Sequence, residues 1–163
     1  MAPGESTRIE SRDPAVELVR RQTVLTLATV GESGPWSAPV YYVWLEGAFY
    51  FFSSPRSRHV RQALHSGKAA ASIFIPADTW QAIRGVQMSG KVGQVRSPAL
   101  SLKVIAAYLK QYPFTRSFFP ENTAPDLDAF FKTFRAQLFK FTPVQVFYID
   151  NRNGLGARQE IEW

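Results

Sequence analysis

Alternating apolar and polar residues, with many β-branched and aromatic side chains, predict that this chain is built mainly from strands. The predicted strands cover residues 23–30, 36–44, 48–53, 68–76, 80–95, 139–150 and 158–163. Turn-forming residues at 31–34 and 46–47 join the first three strands, so we expect those three to pair as an antiparallel meander.

Two of these strands contain residues that disturb a regular ladder. Pro39 has no N–H to donate, which predicts that its strand lies at a sheet edge, is bulged, or faces a ligand there. Gly85 and Gly90 in the long fifth strand predict a bend, a bulge or the close approach of another group.

Helices are predicted where apolar residues recur at helical spacing after a capping residue. Asp13-Pro14 and Ser97-Pro98 are typical helix starts, with the helices ending by Gln22 and Tyr112. A further helix over residues 126–138 carries a stripe of phenylalanine and leucine, which predicts core packing or a subunit contact.

The order of these elements predicts a mainly β fold with α additions. We expect a small antiparallel barrel of six or seven strands with flanking helices. Residues 13–163 are expected to form a single domain, with residues 1–12 disordered or loosely attached.

Composition narrows the classes of partner and chemistry. The net charge is +6, which suits an anionic ligand, but the basic residues form short groups and carry no nucleic-acid-binding signature. There is no cysteine, which excludes disulfides and thiolate chemistry and is compatible with a cytoplasmic location. No apolar run is long enough for a membrane helix or a secretion signal, so we do not expect a membrane as partner. The scattered basic residues likewise lead us to expect no nucleic acid as partner.

The most informative stretch is Tyr50 to Gly67, YFFSSPRSRHVRQALHSG. An aromatic strand stops at Ser53, and a serine- and arginine-rich loop then leads into a helix that Gly67 ends. A helix N-terminus with basic side chains and hydroxyls beside it favours phosphate binding. The alternative is a basic helix start that is merely solvated.

The sequence offers little catalytic machinery of its own. His59 and His65 are six residues apart on one helix and so face different sides, and no metal site is predicted. We find no serine–histidine–aspartate pattern and no glycine-rich nucleotide fingerprint. This pattern is typical of a protein that holds a cofactor which performs the chemistry.

Three motifs carry a family resemblance, namely LATVGESGPWSAPVYY, FYFFSSPRSRH and IRGVQMSGKV. In this order they resemble the FMN-binding split barrel of the pyridoxamine-5'-phosphate-oxidase-like superfamily. The segments AYLKQYPFTR and DNRNGLGARQEIEW are similar to its uncharacterised YhbP-like branch. The resemblance covers residues 15–163 and implies one FMN-binding split-barrel domain over 13–163.

The resemblance also implies a homodimer with FMN at the subunit interface and assigns residues to the cofactor. One strand is expected to lie along the flavin ring, largely through its backbone, at Ser37, Ala38, Pro39, Val40 and Tyr41. The end of the next strand and the following loop are expected to hold the phosphate, at Phe52, Ser53, Ser57, Arg58 and His59. Gln87, or Arg84 near it, is expected to reach the ring from the partner side.

The chain departs from pyridoxamine-phosphate oxidase at three places. His59 replaces a lysine, and histidine is largely neutral at pH 7 because its unperturbed pKa is about 6.5. Ser37 stands where the oxidase has an arginine, and EIEW replaces its Arg-Leu-x-Pro ending. We therefore expect that the chain does not oxidise pyridoxamine phosphate.

The resemblance favours a cytoplasmic FMN-dependent oxidoreductase of unknown substrate. Two alternatives remain open from the sequence. One is a non-enzymatic protein that stores or senses FMN, haem or another anionic cofactor. The other is a structural or nucleic-acid-associated dimer with an empty barrel.

Overall fold

The computed structural model describes residues 13–119 and 127–163. Its strands are β1 (Val24–Gly31), β2 (Gly34–Tyr41), β3 (Val43–Leu45), β4 (Ala48–Ser53), β5 (Ala69–Ile75), β6 (Arg84–Gln94), β7 (Gln137–Asp150) and β8 (Arg158–Ile161). Its helices are α1 (Pro14–Arg21), α2 (Arg58–Ser66), α3 (Pro98–Gln111) and α4 (Leu127–Phe134), with single 3₁₀ turns at Trp80–Ala82, Pro113–Phe118 and Asn151–Asn153. Each helix in these ranges is too short or too polar to span a lipid bilayer. The expectation for residues 1–12 lies outside the described part of the chain.

Local capping signals predicted the helix boundaries well. Asp13 accepts a hydrogen bond from the Ala15 N–H at 2.9 Å, and Ser97 accepts one from the Leu100 N–H at 3.3 Å. Helix α2 ends at Gly67, whose φ of 67° is the left-handed conformation that glycine favours. The predicted starts of α1 and α3 and the predicted end of α2 are thereby confirmed.

In the described residues, eight strands form one antiparallel sheet in the order β2-β1-β5-β6-β7-β4-β3, with β8 paired to β7. Strands β2 and β3 are the two ends of this order, although only Tyr42 separates them in sequence. The sheet therefore curls until β2 lies beside β4 without forming a ladder to it. This confirms the antiparallel split barrel with flanking helices, and it adds an eighth strand to the predicted six or seven.

Both predicted turns join antiparallel pairs, β1 with β2 and β3 with β4, but the meander is interrupted, because the sheet continues from β4 to β7 and not from β4 to β2. The chain leaves the β2 ladder at Tyr42, which divides the predicted strand 36–44 in two. The Tyr42 backbone carbonyl accepts a hydrogen bond from the Tyr112 hydroxyl. The Tyr42 hydroxyl donates to the Val19 carbonyl at 2.6 Å. These partners are distant in sequence, so no local pattern reports the break.

Large apolar side chains fill the inside of the curled sheet. Fully buried members include Leu25, Leu27, Phe49, Phe51, Ile73, Phe139 and Phe141. Trp163 stacks on Phe49 with ring centroids 5.9 Å apart and donates its indole N–H to the Gly47 carbonyl at 2.7 Å. Trp163, which follows β8, is therefore packed against the core.

A second aromatic cluster lies between β4 and the helices α3 and α4. The Phe52 ring is 5.0 Å from Tyr108 and 4.7 Å from Phe130. Of the two expectations for the aromatic stripe, core packing is therefore observed within the subunit.

The predicted helix over 126–138 extends too far at its C-terminus. Helix α4 ends at Phe134, Arg135 follows with a φ of 47°, and β7 has begun by Gln137. Residues 135–138 leave the helix because the last two complete the ladder to β4. The beginning of that prediction, at residue 126, lies outside the described residues.

Two glycines of β6 lie where neighbouring backbone leaves no room for a side chain. A Cβ on Gly85 would be 2.6 Å from the Ile73 carbonyl oxygen, and one on Gly90 would be 2.3 Å from that of Thr142. The ladder to β7 shifts register between Ser89 and Gly90. The expected bulge and close approach are therefore both present.

Gly90→Ala is expected to lower the free energy of unfolding by about 3 kcal/mol, since the added methyl group forces backbone apart. Gly93→Ala is the matched control in the same strand, because nothing lies within 4 Å of its added Cβ. Urea denaturation of both variants measures the difference. Equal transition midpoints would contradict this packing.

Candidate functional site

The residues predicted to hold a phosphate lie in one bend, residues 53–59, between β4 and α2. Strand β4 ends at Ser53, and Ser57 is the N-cap of α2 with extended dihedral angles of −63° and 148°. The Ser57 N–H donates to the Ser54 carbonyl at 3.0 Å, which closes the turn. The bend therefore connects the end of β4 directly to the first turn of α2.

Ser53, Ser57 and His59 form a hydrogen-bonded cluster in this bend. The Ser53 Oγ lies 2.8 Å from His59 Nε2 and 3.2 Å from the Ser57 Oγ. The Ser57 Oγ lies 3.3 Å from the same ring nitrogen. Three of the residues predicted for the phosphate end are thus brought together, and all three are half-buried.

Ser57 occupies a capping position but does not cap. Its hydroxyl donates to the Ser54 carbonyl at 2.8 Å, and no side chain of the described residues caps the first turn of α2. Asp13 and Ser97, at the starts of α1 and α3, do accept from their first turns. Helix α2 therefore presents N–H groups and the positive end of its dipole beside two hydroxyls and an imidazole.

Burial lowers the pKa of His59 below its ordinary value of 6.5, so the ring is neutral at pH 7. The same burial makes the ring sensitive to an added charge. An anion bound beside Nε2 would favour the protonated form and raise the pKa of His59. Anion binding and protonation are therefore coupled at this position.

The Arg58 guanidinium points away from this cluster, towards the β1–β2 hairpin. Its Nη2 donates to the carbonyls of Ser33 at 2.7 Å and of Pro35 at 3.4 Å. Its Cζ lies 4.5 Å from the centre of the Trp36 ring, and its buried Nε has no hydrogen-bond partner among the described residues. Through its side chain, Arg58 positions α2 against the start of β2.

Gln62, one helical turn after Arg58, is a positioning residue that the sequence analysis missed. It is buried, accepts from the Thr29 hydroxyl at 2.7 Å and donates to the Gly34 carbonyl at 3.0 Å. The available signal was its i+4 spacing from Arg58, which puts both polar side chains on one helix face. Both residues tie α2 to the same hairpin.

The other basic residues of the stretch diverge. Arg56 lines a pocket next to α4, whereas Arg61 lines a groove beside the β1–β2 turn. The Phe52 ring packs among the aromatic side chains of α3 and α4, so contact with a ligand in the bend would come from its backbone. Among the described basic residues of the bend and α2, His59 is thus the one whose side chain is hydrogen-bonded to Ser53 and Ser57.

The predicted ring-binding strand β2 is an edge strand, as Pro39 indicated. Among the described residues it pairs with β1, and its other edge faces the split beside β4. Ala38 and Val40 are buried in the barrel, whereas Ser37, Pro39 and Tyr41 are exposed on its outer face. Backbone groups on the free edge are therefore available to a ligand.

Gln87 and Arg84 lie on opposite faces of β6. Gln87 is exposed on the outer face, in a row with Ser72 and Pro39 that crosses three strand spacings, or about 14 Å. Arg84 faces the other way, opposite Asp150 in the β7 ladder. Neither has a hydrogen bond to the bend within the part of the chain that the structure describes.

The IRGVQ and DNRNGLG motifs form one structural joint. The Asn151 N–H donates to the Ile83 carbonyl at 3.0 Å, and its side chain donates to the Trp80 carbonyl at 2.8 Å. Arg152 pairs with the buried carboxylate of Asp150 and holds the pKa of that group at about 2. These motifs therefore fix the end of β7 against the start of β6.

Comparisons with known proteins agree on this architecture. A family model described as Pyridoxamine 5'-phosphate oxidase matches residues 12–150. The UPF0306 protein PM1958 of Pasteurella multocida (strain Pm70) is 26% identical over 84 residues, which cover 50% of this chain and 56% of that protein. The alignment thus spans about half the length of each.

Solved structures with low sequence identity share the fold. A heme binding protein from Mycobacterium smegmatis has a TM-score of 0.66 at 21% identity, over 90% of this chain and 55% of that chain. A FAD-binding protein from Mesorhizobium loti has a TM-score of 0.61 at 17% identity, over 83% of this chain and 91% of that chain. Since the family model covers most of the residues and the split barrel is shared with these structures, the chain belongs to the pyridoxamine 5'-phosphate oxidase family.

Proposed function

We propose that the chain is a flavoprotein that holds FMN by its phosphate at the bend. The observation that carries this proposal is the uncapped first turn of α2, with the Ser53 and Ser57 hydroxyls and His59 beside it. A phosphate group accepts several such hydrogen bonds, each worth about 1.5–3 kcal/mol because the acceptor is charged. Family membership and the FAD-binding structural relative support a flavin as the bearer of that phosphate.

The remaining proposed contacts follow the split. The free edge of Ser37–Tyr41 would lie along the flavin ring through backbone groups, and Phe52 would contribute its backbone next to Ser53. Arg58 would contribute its backbone N–H in the first turn, with its side chain positioning α2. Bound FMN supplies hydride and electron transfer, whereas the chain binds it, orients it and excludes water.

We further propose a homodimer formed through the outer face, the exposed side-chain face of β2, β1, β5 and β6. A row of small side chains crosses its centre, at Ser37, Ala28, Ala70 and Ser89. Exposed apolar side chains surround this row, at Val24, Val30, Tyr41 and Phe74. An exposed apolar face of this kind suits a second copy of the chain, which would bring its Gln87 towards the ring, whereas its Arg84 faces the other side of the sheet.

The proposed activity is that of a cytoplasmic FMN-dependent oxidoreductase of unknown substrate, in one domain over residues 13–163. The test is to purify the protein, identify any bound chromophore by absorbance and mass, and add NADH or NADPH without oxygen. A yellow protein whose flavin is bleached supports the oxidoreductase, and a flavin that stays oxidised supports a store. A protein that neither carries nor takes up flavin contradicts both.

Haem storage is the second candidate, because the fold is shared with a heme binding protein. Haem has no phosphate, so it would not need the uncapped helix start of α2. The chromophore measurement separates the two, since haem has a band at the violet edge of the visible spectrum that is far more intense than any flavin band. A purified protein with that band and no flavin would favour haem.

His59→Lys is expected to tighten FMN binding about tenfold at pH 8, because a permanent cation replaces a neutral ring. In the wild type, affinity should rise as the pH falls from the pKa of His59 in the complex towards its lower pKa in the free protein, since bound phosphate raises that pKa and binding takes up a proton. The phosphate titrates in both proteins and so cancels in the comparison. If a fluorescence titration gives identical pH profiles for the wild type and His59→Lys, the proposed role of His59 in phosphate binding is contradicted.

Pyridoxamine phosphate is not expected to be a substrate. The segment that replaces the oxidase ending is fixed in place, with β8 paired to β7 and Trp163 packed on Phe49. It therefore serves the core and is not free to close over a substrate. Efficient conversion of pyridoxamine phosphate by the FMN-loaded protein would contradict this expectation.

A further inference from the structure

A second pocket lies against the bend, where Ser54, Pro55 and Arg56 form part of its wall. Its volume is about 420 Å³, within the range of small-molecule sites. Ser54 and Pro55 line it, so it begins at the residue that follows Ser53 in the chain. A ligand held by its phosphate at the bend therefore has this pocket as its immediate neighbour.

Among the described residues, the charged side chains that line this pocket are all basic. Arg56 reaches it from the bend, and Lys132 and Arg135 reach it from the end of α4. Lys132 also offsets the negative end of the α4 dipole, but Arg56 belongs to another element and has no such role. Arg135 holds a left-handed φ of 47°, a position where glycine is favoured. Three cations from two elements thus converge where a second anionic group would lie.

The rest of the lining suits a planar base. Val95, Phe131 and Leu138 supply an apolar wall. The Gln94 side-chain amide donates to the Gln137 side-chain oxygen at 2.8 Å, which leaves the Gln94 side-chain oxygen and the Gln137 side-chain N–H groups without a hydrogen-bond partner among the described residues. Paired donor and acceptor groups of this kind match the edge of adenine.

We propose that this pocket takes the second phosphate and the adenosine of flavin adenine dinucleotide, so that the chain binds FAD more tightly than FMN. The inference rests on the proposed flavin site, because the flavin-side phosphate remains at the bend. Arg56 bridges the two parts, since it follows Ser54 and Pro55 and points into the pocket. FMN alone would leave the three cations without a partner anion among the described residues.

The test is a fluorescence titration of the flavin-free full chain with FMN and with FAD, followed by the double variant Arg56→Ser/Arg135→Gly. FAD is expected to bind at least tenfold more tightly than FMN, and the double variant should remove that advantage without changing FMN affinity. Glycine suits the left-handed conformation of Arg135, so the variant should fold. Lys68→Gln/Lys110→Gln is the control, because it removes the same two charges from exposed positions elsewhere.

Each result is decisive for one of the two proposals. If neither flavin binds, the proposed flavin site is wrong. If FMN binds and FAD binds no more tightly, the flavin site stands and the adenylate pocket is refuted. An FAD preference that survives Arg56→Ser/Arg135→Gly, or that the lysine control also removes, refutes the pocket as well. AMP should compete with FAD but not with FMN, and competition with both flavins would contradict the proposed adenosine site in this pocket.

Discussion

Ser57→Asp is expected to weaken FMN binding strongly while the protein stays folded. The new carboxylate would lie where the phosphate is proposed to sit, and two unit charges about 4 Å apart repel by about 4 kcal/mol at a surface dielectric of 20. The carboxylate would also accept the first-turn N–H groups of α2 that the serine leaves unused. We therefore expect affinity to fall at least about 100-fold, equivalent to about 2.7 kcal/mol.

Stability should move little in this variant. An aspartate cap adds about 1 kcal/mol, which offsets the lost hydrogen bond from Ser57 to the Ser54 carbonyl. Ser97→Asp is the matched control, because Ser97 is the N-cap of α3 and lies outside the bend. Titration with FMN and thermal unfolding measure both effects. A Ser57→Asp protein with nearly unchanged FMN affinity would show that the phosphate lies elsewhere.

Ala70→Glu is expected to convert the proposed dimer into a monomer. Ala70 is exposed at the centre of the outer face, with Ala28 and Ser89 opposite it on the neighbouring strands. A glutamate there buries an unpaired charge in the interface, a change that costs several kcal/mol and raises the dimer dissociation constant at least about 100-fold. Since the proposed flavin site needs both subunits, the variant should also lose its flavin.

Ala106→Glu provides the comparison for this second prediction. Ala106 is exposed on α3, away from the outer face, and the same substitution there should leave both mass and flavin content unchanged. Light scattering during gel filtration measures the mass, and absorbance measures the flavin. If the wild type is a monomer, or if Ala70→Glu is a dimer that keeps its flavin, the proposed dimer through the outer face is contradicted.

Features set by neighbouring residues could be predicted from the sequence. Asp13-Pro14 and Ser97-Pro98 start helices through contacts within three residues, and Gly67 ends one through its own dihedral angles. Because Pro39 lacks an N–H, its strand was predicted to lie at an edge, to be bulged or to face a ligand, and the edge position is observed. The break at Tyr42 was not predictable, because partners 23 and 70 residues away create it.

In the candidate site, too, local features could be predicted from the sequence and features set by distant residues could not. The sequence predicted that Ser53, Ser57 and His59 would lie together, since a strand end, a short bend and a helix start fix their relative positions. It did not predict that the Arg58 side chain turns to the β1–β2 hairpin, 23 to 25 residues earlier in the chain. Side-chain direction depends on which strand packs beside α2, and that is a property of the assembled sheet.

Phosphate recognition at the bend is tested most directly by comparing the affinities of the flavin-free protein for FMN and for riboflavin, which has the same ring but no phosphate. If the uncapped start of α2, with Ser53, Ser57 and His59, grips that group, FMN should bind at least about 100-fold more tightly, a difference of about 2.7 kcal/mol. Equal affinities would contradict phosphate recognition at the bend.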